Sequence, residues 1–499
     1  MSSPLMHGES PKAPNPKRWV ALSMLALVQF IIYADATIVN VALPSIQGDL
    51  GFSSSTLVWV VNCYLLAAGG LLLLGGRLGD HFGHRRMFLL GAGGFVVASL
   101  VAGFAPNSET LLVGRVLQGV SEGLAAPAGL ALVALLFTDR NERGKAFGIW
   151  SGLSGLGAAA GTLLSGVFTD LLTWRLIFFI NVPLALIAVI AVPRLVSESR
   201  QRSSRERLDW PGAVLVTGGL FALLYAVLNV TEQGWASANV LIPLLIGVAG
   251  LVGFVVVGTR VKNPLVPLRF VANRVRATAY AVGSVLGGAT AALFFIVVLY
   301  MQDVLGYTPI QSGLAWLPYI AAFVAGIMLS VQIAPRWGTR WIIIGGLAPV
   351  FIGLVLLCFI RVDGVFVLDV LPATALIGFG IGFANPAVQQ SAMSGVSERD
   401  AGLGSGIFTT LLQLSGAVGL TILMSVALAT SNQAKASGVT SVAAQSVAGY
   451  HVTFGVAAAT FACALVATFA LLSRSASVSD ASREDTLATD SYDSQNSDR

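Results

Sequence analysis

The sequence predicts an all-α membrane protein of 14 transmembrane helices: two six-helix bundles related by a pseudo-twofold axis, plus two inserted helices. Three observations carry that expectation. Hydrophobic residues fill 55% of the 499 positions and charged residues only 11%, with a mean hydropathy of +0.80. An average soluble domain is about 25% charged, so this chain cannot clothe itself in a water-soluble surface. The apolar residues gather in runs of about 20, the length at which a helix crosses a hydrocarbon core. Finally, short motifs in the first part of the chain recur in the second at a nearly constant offset. Soluble enzymes, nucleic-acid readers and disordered scaffolds are thereby excluded. The pI of about 9.2 implies no nucleic-acid partner, because the positive residues border the apolar runs.

Residues 1–17 are a polar, Pro-rich arm (Pro4, Pro11, Pro14, Pro16). They are not read as a signal peptide, since the first apolar run is long and leads into further spans. Spans lie near 18–42, 57–77, 87–105, 109–134, 146–170 and 176–196, which make an N-terminal bundle over 18–196. Residues 197–276 contain a hydrophilic linker (197–209), inserted spans near 211–230 and 239–259, and a basic stretch from Arg260 to Arg276. The C-terminal bundle, 277–473, is read from spans near 277–301, 311–334, 341–360, 365–390, 402–428 and 452–473. The Ser/Asp-rich tail 474–499 has the composition of a disordered segment.

Charge sets the expected orientation. With the N-terminus inside, 25 of the 29 Lys and Arg residues fall on the inner side. Outside loops keep Arg175, Arg361 and Lys435, and Arg115 lies within span 4. This bias places both termini in the cytoplasm and favours an even number of spans. The repeat has three parts. Gly83-His84-Arg85 recurs as Gly338-Thr339-Arg340, and Gly123-x3-Pro127-Ala128 as Gly382-x3-Pro386-Ala387. Glu142-Arg143-x4-Gly148 recurs as Glu398-Arg399-x4-Gly404, and the three offsets are 255, 259 and 256 residues. Both copies keep the same inside-outside sense, so the repeat is parallel and implies a central site between the halves.

Other residue types remove whole chemistries. Cys63, Cys358 and Cys463 each sit in an apolar run, which argues against a disulfide framework. His7, His81, His84 and His451 are scattered, so no metal site is expected. No Lys precedes Ser or Thr, which excludes a phosphate-binding P-loop and with it a nucleotide partner. No cofactor is expected, and any active transport must draw on an ion gradient or on a partner chain. Arg outnumbers Lys 24 to 5, a composition typical of a GC-rich bacterium.

Four motifs point further. The stretch Gly76-Arg-Leu-Gly-Asp80-His-Phe-Gly83-His-Arg85-Arg86 resembles the loop signature of the major facilitator superfamily, with His81 where a basic residue is usual. Tyr33-Ala-Asp35-Ala-Thr37-Ile-Val-Asn40-Val-Ala-Leu-Pro44 and Arg115-Val-Leu-Gln118-Gly119 resemble signatures of its fourteen-span drug:proton antiporters. So does Trp174-Arg175-x2-Phe178-x-Ile180-Asn181-Val182-Pro183. The span-5 antiporter motif departs from the pattern, with Ala158 in place of Pro and Thr162 in place of the last Gly. The resemblance implies a major facilitator fold and export of an amphipathic or aromatic compound in exchange for protons. It implies a bacterial plasma membrane protein whose partners are that small substrate, protons and the lipid bilayer.

Specific residues are expected to do this work. Asp35 lies deep in span 1, where a carboxylate costs about 2.5–3.5 kcal/mol on insertion scales. Arg115 and Glu122 are seven residues apart, on one helix face and ~10 Å from each other. Asp35, Arg115 and Glu122 are expected to form a titrating network; a static buried pair, or a packing role for Asp35 beside Asn40, is the alternative. Gly76, Asp80, Gly83, Arg85 and Arg86 form the gating loop that the resemblance implies, with Asp80 facing a helix N-terminus of the opposite half. Anchoring by Arg85 and Arg86 is the plainer reading. A substrate cavity needs apolar walls with a few polar groups. Its candidates are Gln29, Trp59, Asn62, Tyr64, Gln118, Trp150, Asn181, Tyr300, Trp316, Tyr319, Asn385, Gln389 and Gln413. An exporter of one endogenous metabolite or a lipid-like compound, and a non-transporting sensor, are the rival readings. An enzyme is not expected.

Overall fold

The computed structural model describes residues 17–137, 139–198, 209–261, 264, 266, 273–394, 396 and 401–471. Most of the expected N-terminal arm, the tail from 472, much of both linkers, and the Glu398-Arg399 copy lie outside them. The long helices are α1 (Arg18–Leu50), α2 (Trp59–Phe82), α3 (His84–Gly103), α4 (Ser108–Leu136), α5 (Arg140–Leu171) and α6 (Asn181–Leu195). They continue as α7 (Trp210–Gln233), α8 (Ala238–Arg260), α9 (Arg274–Leu299), α10 (Leu317–Leu357), α11 (Leu371–Ala392), α12 (Ala401–Ala436) and α13 (Val442–Leu471).

Among the described residues, 12 helical stretches are long and apolar enough to cross a membrane. The longest, Pro309–Leu357, has 49 residues. As one straight helix it would run about 74 Å, more than twice a hydrocarbon core. It is broken instead at Gly338, whose φ of 74° and ψ of 158° leave the helical region. Helix α5, with 32 residues, stands outside the twelve.

Side-chain caps start several helices by satisfying amides that have no intrahelical partner. Asn107 accepts from Thr110 N at 2.9 Å, Asp209 from Gly212 N at 2.8 Å, and Asn273 from Val275 N at 3.0 Å. Gly83 turns the chain between α2 and α3 with a φ of 104°, a conformation that L side chains rarely adopt.

Helices α1 to α6 pack on one another: α1 on α5 and α6, and α4 on α2 and α3. Helices α9 to α13 form a second group, with α10 against α11 and α12 against α9 and α13. Two seams join the groups. One is α2 against α12; the other is α5 against the short helix Pro309–Ala315. Gln302 Nε2 also reaches across to the Val41 carbonyl at 2.9 Å. Helix α8 packs on α7, and α7 packs on both α2 and α12. The outer face of α8 is apolar and exposed, with Leu245, Ile246 and Val252 all more than half uncovered, as a lipid-facing helix should be.

Candidate functional site

The site is built where α1, α4 and α6 meet. Asp35 is fully buried on α1 and accepts three hydrogen bonds. Arg115 Nη1 donates to its Oδ2 at 2.5 Å, while Gln118 Nε2 and Asn181 Nδ2 donate to Oδ1 at 2.9 and 2.7 Å. Arg115 and Gln118 reach the same carboxylate because residues three apart share a helix face. The Arg115 guanidinium is satisfied on its other side as well. Its Nε donates to the Val60 carbonyl at 2.9 Å, its Nη1 to Gln118 Oε1 at 2.8 Å, and it lies 4.4 Å over the Tyr64 ring. Gln118 Nε2 donates onward to Ser99 Oγ at 3.1 Å. A buried ion pair persists only when the remaining lone pairs and protons also find partners, and this one does.

Glu122 lies two turns further along α4 and makes no hydrogen bond to Asp35 or Arg115. Its Oε1 accepts from Gln413 Nε2 of α12 at 2.8 Å, across 291 residues of sequence. Its Oε2 is buried with no hydrogen-bond partner. The expected trio therefore divides in two. Asp35 and Arg115 are in direct contact within the first group, and Glu122 is one of the points where that group touches the second.

The gating loop folds onto its own half. Glu198, just beyond α6, accepts from the Arg85 amide at 3.1 Å and lies 3.7 and 3.6 Å from Nε of Arg85 and Arg86. A carboxylate at the start of α3 is favoured by the helix dipole. Asp80 pairs with His84 at 3.3 Å, and no ion pair to a helix end of the opposite half occurs among the described residues. Gly83 makes the turn, and Gly76 faces Pro127 at ordinary contact distance.

The expected cavity residues scatter into several roles. Gln118 and Asn181 belong to the Asp35 network, not to an open wall. Tyr64 supplies the ring beneath Arg115. Asn62 Nδ2 donates to Thr421 Oγ1 at 2.6 Å and so ties α2 to α12. Trp59 stacks on Phe221 of α7 at 5.9 Å between centroids. Tyr300 donates its hydroxyl to the Arg361 carbonyl at 2.6 Å, a structural bond at the end of α9. Trp150 is buried against Gly129 of α4, and Gln29 is buried with its Oε1 unpaired. Trp316 and Tyr319 join Phe294 in an aromatic cluster, with centroids 4.1 Å apart for Phe294–Trp316 and 5.1 Å for Phe294–Tyr319. Asn385 is half-buried and Gln389 exposed on α11. Gln413 holds Glu122.

Ser99, the Val60 carbonyl and Thr421 carry no sequence signature of their own. For Glu198 a signal exists, an acid directly after span 6 at the head of an Arg-rich run. Trp174 and Arg175 of the quoted motif prove to bind Asp49 at the end of α1, at 3.0 and 2.6 Å. No cluster of three His, Cys, Asp or Glu side chains able to hold a metal occurs among the described residues.

A model of the Major Facilitator Superfamily matches residues 25–420. The chain belongs to that superfamily. Among its relatives is the puromycin resistance protein pur8 of Streptomyces alboniger, 40% identical over 418 residues that cover 83% of each chain. The cephamycin export protein CmcT of Amycolatopsis lactamdurans is 35% identical over 81% of this chain and 84% of its own. The tetracenomycin C resistance and export protein of Streptomyces glaucescens is 31% identical over 81% and 75%. Among solved structures, the POT family transporter PepTSo shares the fold with a TM-score of 0.66 at 15% identity, over 92% of this chain and 99% of its own. This superfamily member is thus a multi-pass membrane protein whose relatives are antibiotic resistance and export transporters.

Proposed function

We propose that this chain is a fourteen-helix, proton-coupled exporter of amphipathic or aromatic antibiotics, working by alternating access with both termini in the cytoplasm. The count of fourteen holds if the two arms of Pro309–Leu357 and helix α5 each cross the membrane. The observation that carries the coupling is the Glu122–Gln413 bond. A carboxylate–amide hydrogen bond is charge-assisted and about twice as strong as a neutral one. Protonating Glu122 therefore loosens a direct tie between the halves, and deprotonation restores it. Differential stabilisation of that kind is what biases two conformations.

Asp35 and Arg115 play a different part in this reading. Three donors from two helices, two on Oδ1 and one on Oδ2, hold the Asp35 carboxylate in place. The pair holds α1, α4 and α6 as one rigid body, against which Glu122 works. The substrate would lie between the halves, with the Phe294–Trp316–Tyr319 cluster as one apolar wall. The names of the relatives support an antibiotic substrate.

The test is proton exchange in proteoliposomes carrying an internal pH dye, with puromycin as the added compound. Wild type should move protons when puromycin is added, and Glu122→Gln should not, while still binding it. Wild-type exchange in Glu122→Gln would end this assignment.

A further inference from the structure

The inserted hairpin of α7 and α8 has no counterpart in the repeat, and its seat is specific. Helix α7 packs on α2 of the first group and on α12 of the second, along the seam where those two helices meet. Leu224 of α7 completes a small buried cluster with Leu66 of α2 and with Leu414 and Ala417 of α12. Nearer the end of α2 where the chain enters that helix, Phe221 stacks on Trp59. At Gly70 of α2 the Thr217 side chain comes so close that a Cβ would fall within it, 2.8 Å from its Cβ and Cγ2. In a bilayer, apolar burial brings no transfer free energy, because lipid tails are as apolar as leucine; helices hold together through close-packed shape and small residues. Gly70 against Thr217 is contact of that kind.

The seam matters because Leu414 adjoins the Glu122 tie. Gln413 precedes Leu414 on α12, packs on Gly69 of α2, and donates to Glu122. A chain of packed groups therefore runs from Leu224 through Leu414 and Gln413 to the Glu122 carboxylate. The other seam, α5 against Pro309–Ala315, has its own tight contacts but does not carry the hairpin.

We infer that α7 is a strap: it closes the α2–α12 seam to lipid and positions Gln413 on Glu122. Leu224, Thr217 and Phe221 are then positioning residues for the coupling step, and that second part rests on the reading of Glu122 given above. Sealing does not rest on it, since it concerns only which surfaces lipid can reach.

The experiment reconstitutes the full chain in vesicles that contain a diazirine-bearing phospholipid, then maps the photolabelled segments by mass spectrometry. In the wild type, label should fall on the outer face of α8 around Leu245 and Val252 and be absent from the segments holding Leu66 and Leu414. Gly70→Ala should push α7 away. Label should then appear at Leu66 and Leu414, and puromycin–proton exchange should fall roughly 2- to 30-fold, the range expected for loss of one coupling contact. Gly70→Ala with Thr217→Gly frees the space and should return both readouts towards wild type. Should Gly70→Ala fail to fold, Leu224→Ala with restoration by Leu224→Met serves the same purpose. Labelling of Leu66 and Leu414 in the wild type as strong as that of Leu245 would overturn the seal. An open seam with unchanged exchange, or a double variant no better than Gly70→Ala, would overturn the positioning role. If instead Glu122→Gln exchanges protons normally, the coupling assignment falls while the wild-type labelling pattern still decides the seal.

Discussion

The two halves carry the same repeat and handle charge in opposite ways. Gly123 on α4 corresponds to Gly382 on α11, so Arg115, Gln118 and Glu122 correspond in register to Thr374, Ile377 and Ile381. All six are buried. In the first half they build an ion pair, an amide relay and an acid with one unpaired oxygen. In the second, the two isoleucines pack, and Thr374 returns its hydroxyl to the Val370 carbonyl at 3.0 Å. The aromatic cluster of Phe294, Trp316 and Tyr319 lies in that half too. The difference teaches that equivalent positions of one scaffold can be split, with buried charge kept in one copy of the helix and apolar contact in the other. Buried charge demands a complete set of partners, and assembling one such set is less costly than assembling two.

That contrast can be broken most severely at Arg115. Arg115→Leu leaves the Asp35 carboxylate buried without its countercharge and should destabilise the protein by about 3–5 kcal/mol. Thermal unfolding in detergent would register it, and the double variant Asp35→Asn/Arg115→Gln should be less damaged than Arg115→Leu. A smaller thermal effect in the single than in the double variant would mean that the pair is not what holds α1 to α4. Transferring the acid tests the contrast from the functional side. Glu122→Gln combined with Ile381→Glu should still lack proton exchange in the vesicle assay, because the second half has no network around position 381; recovered exchange would show the halves to be interchangeable. Phe294→Leu removes one face of the aromatic cluster and should cost about 0.5–1.5 kcal/mol beyond lost area. Binding titrations should show a larger loss for an aromatic compound such as tetracenomycin C than for cephamycin, and equal losses would remove the cluster from the substrate wall. The mildest change is Thr374→Ala. It deletes a local side-chain bond and should shift stability by no more than about 1 kcal/mol, with exchange unaffected.

Much of this architecture is legible in the chain before any fold is known. Helix-length apolar runs with few charges can be satisfied only by spanning helices, because lipid offers no partner for a free backbone amide. Asp35 and Arg115 stand out for the same reason, as charges too costly to be incidental. Partner choice is less legible. Asn181 reads in sequence as part of a substrate wall, yet it donates to Asp35, 146 residues away. Asn62, Trp59 and Tyr300 read the same way, and each is taken up by a packing contact or a structural hydrogen bond. The loop signature marks Arg85 and Arg86, but their acid, Glu198, comes from beyond α6. Polar residues in an apolar helix announce that they need partners without saying which.

The order and length of the helices, the sidedness of charge and the presence of buried ions come from the chain itself, since each depends only on local hydropathy and the price of a charge in oil. The tertiary structure alone decided the rest: that Asp35 collects three donors while Glu122 collects one, that Gln413 crosses the gap to meet it, and that α7 lies over the seam beside them. These are contacts between residues tens to hundreds of positions apart, made by the shapes of packed helices in a medium where hydrophobicity selects no neighbour over another.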